Sequence, residues 1–147
     1  MKIAIGADHA GFAAKEEIKT VIKALGHAVQ DVGPDSDASV DYPDYAEKVA
    51  RSVVSGEADR GVLICGTGIG MSIAANKFAG IRAAVITDEK TADLSRRHND
   101  SNILCAGARI TPVSKIAEAL KVWLQTPFEG GRHSTRVGKI AALEGKR

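Results

Sequence analysis

The sequence predicts an α/β fold, a three-layer α/β/α sandwich built on a five-stranded parallel, Rossmann-like sheet. Three observations predict it. Strand-like and helix-like segments alternate from one end of the chain to the other. The strand-like runs are short, branched and apolar at nearly every position, as strands covered on both faces are. The 147 residues contain no internal repeat and no low-complexity stretch, so a single domain over 1–147 is expected.

The elements follow in order. Lys2–Ala7 reads as a strand and Ala10–Leu25 as a helix, with Phe12, Ile18, Val21, Ile22 and Leu25 near helical spacing and Gly26 ending it. His27–Val32 is the second strand and Gly33–Asp41 a polar loop. Tyr42–Val54 is a helix with Pro43 in its first turn. Gly61–Cys65 is a strand and Ile69–Lys77 a helix. Ile81–Ile86 is the fourth strand, followed by a helix over Asp88–Arg97 capped by Thr87 or Asp88. Ile103–Ala106 is the fifth strand and Pro112–Gln125 an amphipathic helix. Residues 126–147 form a loop and a short basic helical tail.

Composition excludes several classes. The formal net charge is +2, too small to argue for nucleic acid or a lipid surface. No apolar run approaches the roughly 18–20 residues of a membrane span, and an acid at Asp8 argues against a signal peptide. Cys65 and Cys105 stand in separate strand contexts, which fits free thiols in a reducing cytoplasm. A calcium loop beginning at Asp35, Asp37 and Ser39 fails, because Val40 replaces its glycine and Ala46 its final acid. The four histidines share no zinc spacing with either cysteine, and no metal or other cofactor is expected.

The most informative stretch is Cys65-Gly66-Thr67-Gly68-Ile69-Gly70-Met71-Ser72. It places a thiol at the end of an apolar strand, then three alternating glycines, then a helix start. Exposed amides at a helix N-terminus attract anions, and the same field favours a thiolate. The loop thus joins a nucleophile or base to a cradle for developing negative charge; the plainer reading is a glycine-rich turn beside an inert cysteine. A dinucleotide fingerprint fails because Met71 stands where its third glycine belongs, and Gly6 to Gly11 continues as Phe12-Ala13, which is no P-loop.

Other polar groups gather just after the strands: Asp8 and His9, Asp41 and Tyr42, and Asp88. Ligands of open α/β sheets bind at that carboxyl edge. Asp8-His9 reads either as a hydroxyl-binding or proton-handling pair or as a helix cap. His98-Asn99 ends a helix, where a histidine gains from the dipole; the strand that follows is expected to return toward the same edge. Arg132 and Arg136 lie four apart, so on a helix they share one side and can grip a phosphate, or simply form a solvated basic tail. Arg109 is a further cation, and Cys105 reads as a small core residue.

Several stretches together resemble the type B ribose-5-phosphate isomerase family, which includes galactose- and allose-6-phosphate isomerases. They are Ile5–Gly11, Ser39–Asp44, Arg60–Lys77, Gly80–Ala84, Arg97–Asp100, Asn102–Leu104 and Gly130–His133, in family order over nearly the whole chain. The resemblance implies the following roles. Cys65 is the proton acceptor that moves a hydrogen between C1 and C2 of the open sugar. The amides of Gly66, Thr67, Gly68, Ile69 and Gly70 hold the enediolate. His98 donates a proton in ring opening, with Asp8 or Thr67 sharing that work. Asn99 binds substrate hydroxyls, His9, Arg132 and Arg136 hold the phosphate, and Arg109 completes the site, with Tyr42 and Ser72 further substrate contacts. The resemblance also implies a homodimer, sometimes paired into a tetramer, with the site shared between subunits and the 126–147 tail packing there.

The function expected on these grounds is metal-free interconversion of D-ribose 5-phosphate and D-ribulose 5-phosphate. The nearest rival is the same chemistry on a six-carbon sugar phosphate. A rival of another class is a non-catalytic sugar-phosphate sensor, which leaves Cys65 and His98 without a task. An NAD-binding fragment is weak, because Asp31 lies inside the second strand rather than after it.

Overall fold

Residues apolar at consecutive positions need cover on both faces, and the chain supplies it with helices on either side of one sheet. The computed structural model describes residues 1–145. Its strands are β1 (Lys2–Ala7), β2 (Ala28–Asp31), β3 (Arg60–Cys65), β4 (Ala83–Val85) and β5 (Ile103–Gly107). Its helices are α1 (Phe12–Ala24), α2 (Tyr42–Val54), α3 (Ile69–Ala75), α4 (Glu89–Asn99), α5 (Val113–Gln125) and α6 (Arg132–Ala141). Every pairing is parallel, in the order β2-β1-β3-β5-β4. The expected five-stranded parallel sandwich is the observed fold. β5 inserts between β3 and β4, so the connection through α3 steps over it.

Successive side chains of each strand serve different layers. In β3, Val62 and Ile64 pack with Ile18 and Ile22 of α1 and Leu120 and Trp123 of α5. Leu63 and Cys65 turn the other way, toward Val49 of α2 and Met71 of α3. Cys65 therefore ends the strand on the α2–α3 face, with Cys105 of β5 in the same layer.

Element ends shift from their expected places for local reasons. α1 starts at Phe12 rather than Ala10, because the carbonyl and carboxylate of Asp8 both accept from the Gly11 N–H and close a turn first. α3 stops at Ala75 because the Asn76 amide leaves the helix direction to bond both the N–H and the carbonyl of Ala83. Arg82 donates its N–H to the Asn102 side chain, so regular pairing of β4 begins only at Ala83. Asp88 is the cap of α4, in a reciprocal box with Thr91.

A buried polar network fixes the end of α4. The Trp123 indole donates to Ser101 Oγ at 2.7 Å, and Ser101 Oγ donates to Ser95 Oγ at 2.9 Å. Arg96, also buried, donates to the Ser101 carbonyl at 2.6 Å and pairs with Asp100 at 2.8 Å. Each polar group finds a partner, so the network rigidifies the turn that carries His98 and Asn99.

Candidate active site

The glycine loop after β3 is tied down by the chain after β5. Ala108 donates to the Cys65 carbonyl at 2.8 Å and Arg109 to the Gly66 carbonyl at 3.0 Å. Gly68 adopts φ 79°, a left-handed conformation that favours glycine. That conformation turns its N–H onto Cys65 Sγ at 3.1 Å. A backbone donor thus meets the sulfur where a thiolate's charge would lie. The thiol is only 5 % exposed, at the floor of the loop.

Neighbouring candidates converge on this floor. A side chain at Gly70 would come within 2.6 Å of the Tyr42 ring, so glycine there is what lets Tyr42 lie across the start of α3. The Arg109 guanidinium runs alongside Gly66. The Asp8 N–H donates to the Ile64 carbonyl at 3.2 Å, placing this buried carboxylate beside the end of β3. Asp8 Oδ1 accepts from the Gly11 N–H at 2.9 Å, closing a turn ahead of the helix; the N-cap of α1 is Gly11 with no side-chain cap, so neither Asp8 nor His9 caps the helix. His9 is exposed, its Nδ1 3.4 Å from the Val40 amide. Thr67 Oγ1 accepts from the Ile69 N–H at 3.3 Å, and both residues are exposed at the rim. Ser72 faces away from the loop, its hydroxyl donating to the Ala83 carbonyl at 3.4 Å.

His98, Asn99, Arg132 and Arg136 form a second group elsewhere. The His98 and His133 rings stack with centroids 4.2 Å apart and an interplanar angle of 10°. Glu129 donates its N–H to the Arg97 carbonyl at 3.1 Å, fixing the start of the tail against α4. Arg132 and Arg136 are exposed on the first turns of α6.

The two groups occupy opposite edges of the sheet. Cys65 pairs with Gly107 at the carboxyl ends, whereas the Asn102 carbonyl accepts from Gly61 at the amino ends. Four residues of strand, about 13 Å, separate Gly61 from Cys65. The expectation that β5 brings His98 back to the edge of Cys65 is therefore corrected. α4 runs antiparallel to the strands it connects, so its last turn lies at the amino edge. A cavity of about 500 Å³ opens at that edge too, between β4 and α6, lined by Phe78, Arg82, Asn99, Ile140 and Leu143.

Electrostatics mark one thiol as inert and single out one histidine. Burial, and then the neighbouring Cys65, push the Cys105 thiol far above its ordinary range, as suits an inert core residue. Burial, followed by the charge of His98, lowers the His133 imidazole. The residue that sequence reasoning passed over is His133; the signal was its place between two candidate phosphate ligands at a helix start. Ligand atoms of His98, Glu129 and His133 lie within 4.8 Å of one another, the one such trio among the described residues. Its near-parallel rings hold their in-plane lone pairs in planes that do not meet at one ion, so this arrangement does not chelate.

Residues 3–140 match the Ribose/Galactose Isomerase family. The chain belongs to that family. It is 49 % identical to ribose-5-phosphate isomerase B of Escherichia coli (strain K12) over 146 residues, covering 99 % of this chain and 98 % of that one. The structure is similar to ribose-5-phosphate isomerase B of Clostridium thermocellum, with TM-score 0.98, 53 % identity and 99 % of both chains covered. It is also similar to the Mycoplasma genitalium enzyme with bound ribulose-5-phosphate, with TM-score 0.94, 41 % identity, and 99 % and 97 % coverage. Among the described residues no helix is long and apolar enough to cross a membrane.

Proposed function

We propose that this family member interconverts D-ribose 5-phosphate and D-ribulose 5-phosphate through an enediolate, with Cys65 carrying the proton between C2 and C1. The observation that carries the reading is the Cys65 thiol beneath the Gly68 N–H, in the glycine loop that leads into α3. His98 gives a proton to the ring oxygen as the O1 proton leaves to Asp8 or Thr67, and the aldehyde opens. The Cys65 thiolate then takes the C2 proton. Electrons shift into the C1–C2 bond, charge collects on O1, and the loop amides of Gly66 to Gly70 stabilise it. The thiol then returns its proton to C1 while the O2 proton passes to O1, leaving the C2 ketone and a C1 hydroxyl. A hydrogen moves within the sugar and no cofactor changes oxidation state.

The active unit is a homodimer with composite sites. One subunit supplies Asp8, His9, Tyr42, Cys65, the glycine loop and Arg109, and its partner supplies His98, Asn99, Arg132 and Arg136. The separation of these groups across the sheet supports this division, because Cys65 and His98 do not share an edge. So do Ile69 and Ile73, 56 % and 58 % exposed on α3 beside the loop, which form an apolar stripe lacking cover within the chain. The two free buried thiols agree with a cytoplasmic setting.

Purified protein in excess EDTA is expected to convert ribose 5-phosphate to ribulose 5-phosphate. A folded dimer with no turnover on it, but with turnover on allose or galactose 6-phosphate, would move the assignment to the six-carbon substrates. Arg136→Ala is expected to raise KM roughly ten-fold or more, the scale of one lost charge-assisted bond, with kcat little changed. An unchanged KM would leave Arg136 as part of a solvated helix.

A further inference from the structure

We propose that His133 is the positioning residue of His98: its buried imidazole fixes the plane and rotamer of the neighbouring ring. The inference rests on the reading of His98 as the ring-opening acid. His133 is 3 % exposed and held from below by its own N–H, which donates to the Gly130 carbonyl at 3.0 Å. Its Nε2 has no hydrogen-bond partner and lies 4.0 Å from Glu129 Oε1, beyond bonding distance. The face of the ring, rather than its polar edge, makes the specific contact, a 4.2 Å stack on His98. His98 is half-buried at a helix end, where the terminal torsion of histidine is broad and its ring direction is poorly set by backbone alone. A flat neighbour is what sets it.

A charge on His98, stacked at this distance, disfavours a charge on His133. The surrounding charges divide the roles. His133 faces Glu129, Arg132 and Arg136 from its own segment and His98 from α4; burial is the largest influence on it, and it favours the neutral form. His98 has the Asp93 carboxylate within electrostatic reach on α4.

The linkage has a definite sign. The unfolded chain protonates His133 near its ordinary value of 6.5, while the folded chain does so only at lower pH. Stability is therefore complete above that value and falls as pH drops below it, until the folded pKa is passed. The carboxylates held low in the fold, Glu16, Asp31, Asp88, Asp93 and Glu118, begin to act only near their ordinary values of 3.8 to 4.5. His133→Phe is expected to flatten the thermal-stability profile between pH 4.5 and 6.5; denaturation midpoints across that range check it.

The deciding experiment compares His133→Ala with His133→Phe by kinetics and by NMR of the His98 ring protons. The alanine variant is expected to lose roughly ten- to hundred-fold in kcat from ribose 5-phosphate with KM nearly unchanged. It is also expected to lose the ring-current shift of His98. The phenylalanine variant, which keeps a flat ring in the stack, restores most of both. Equal losses in the two variants, a change confined to KM, or an unmoved His98 signal in the alanine variant overturns the proposal. The NMR arm needs no turnover, so an inactive wild type sinks the isomerase reading while leaving the positioning role decidable. If the alanine variant does not fold, the phenylalanine variant and His133→Gln give the same comparison of flat against non-aromatic side chains.

Discussion

Cys65→Ala is expected to lose turnover by roughly 10²–10⁴-fold, the scale of a general base, while the fold and its affinity for the sugar phosphate persist. The alanine still fits the end of β3, and the lost packing is on the order of 1 kcal/mol, that of one buried methylene. Removing the sulfur also leaves the Gly68 N–H, now 3.1 Å from Sγ, without that acceptor. Cys65→Ser separates the two effects: a hydroxyl can still accept from Gly68, but its proton is too tightly held for a base at neutral pH. The serine variant is expected to bind normally and turn over as poorly as the alanine. Cys105→Ala is the matched control, since that thiol is buried in the same layer and strongly disfavours ionisation. It is expected to remain active. Near-normal turnover of Cys65→Ala, with hydrogen exchange at C1 and C2 intact, would remove the thiol from the mechanism.

The parts of this molecule that were legible in the sequence are those set by local chemistry. Val62, Leu63 and Ile64 are buried on both faces, so the run was recognisable as a covered parallel strand without knowledge of its neighbours. The glycines after Cys65 were recognisable as a loop of unusual conformation. Which of them needs it was not: only Gly68 takes positive φ, while Gly70 yields room to Tyr42, a contact between distant segments. Strand order was equally hidden, because nothing local says that β5 inserts between β3 and β4. The misplacement of His98 is different in kind. A helix that leaves the carboxyl end of one strand must finish at the amino edge to begin the next. The edge of His98-Asn99 therefore followed from the alternation of elements alone. Expecting His98-Asn99 at the edge of Cys65 came from their chemistry, and the topology places them at the other edge.

That separation makes a prediction that a site contained in one chain cannot satisfy. As pure homodimers, Cys65→Ala is expected to be inactive from ribose 5-phosphate and His98→Ala to be slowed to the rate of spontaneous ring opening, because every composite site lacks one group. When the two are unfolded and refolded together, a mixed dimer contains one site with both substitutions and one with neither. Random pairing of equal amounts puts half the chains' dimers in the mixed form, so about a quarter of wild-type activity returns. The ketose direction adds a second signature. Ribulose 5-phosphate cannot close a furanose, because O5 carries the phosphate, so its enolisation needs no ring-opening acid. His98→Ala is therefore expected to retain far more turnover from ribulose 5-phosphate than from ribose 5-phosphate. From the aldose its rate should level off with added enzyme, as spontaneous ring opening becomes limiting. Cys65→Ala should be equally dead in both directions. Mixing that restores nothing, with subunit exchange verified by mass, would return the whole reaction to one chain. The 13 Å of strand between Gly61 and Cys65 would then have to be spanned by groups other than His98 and Asn99.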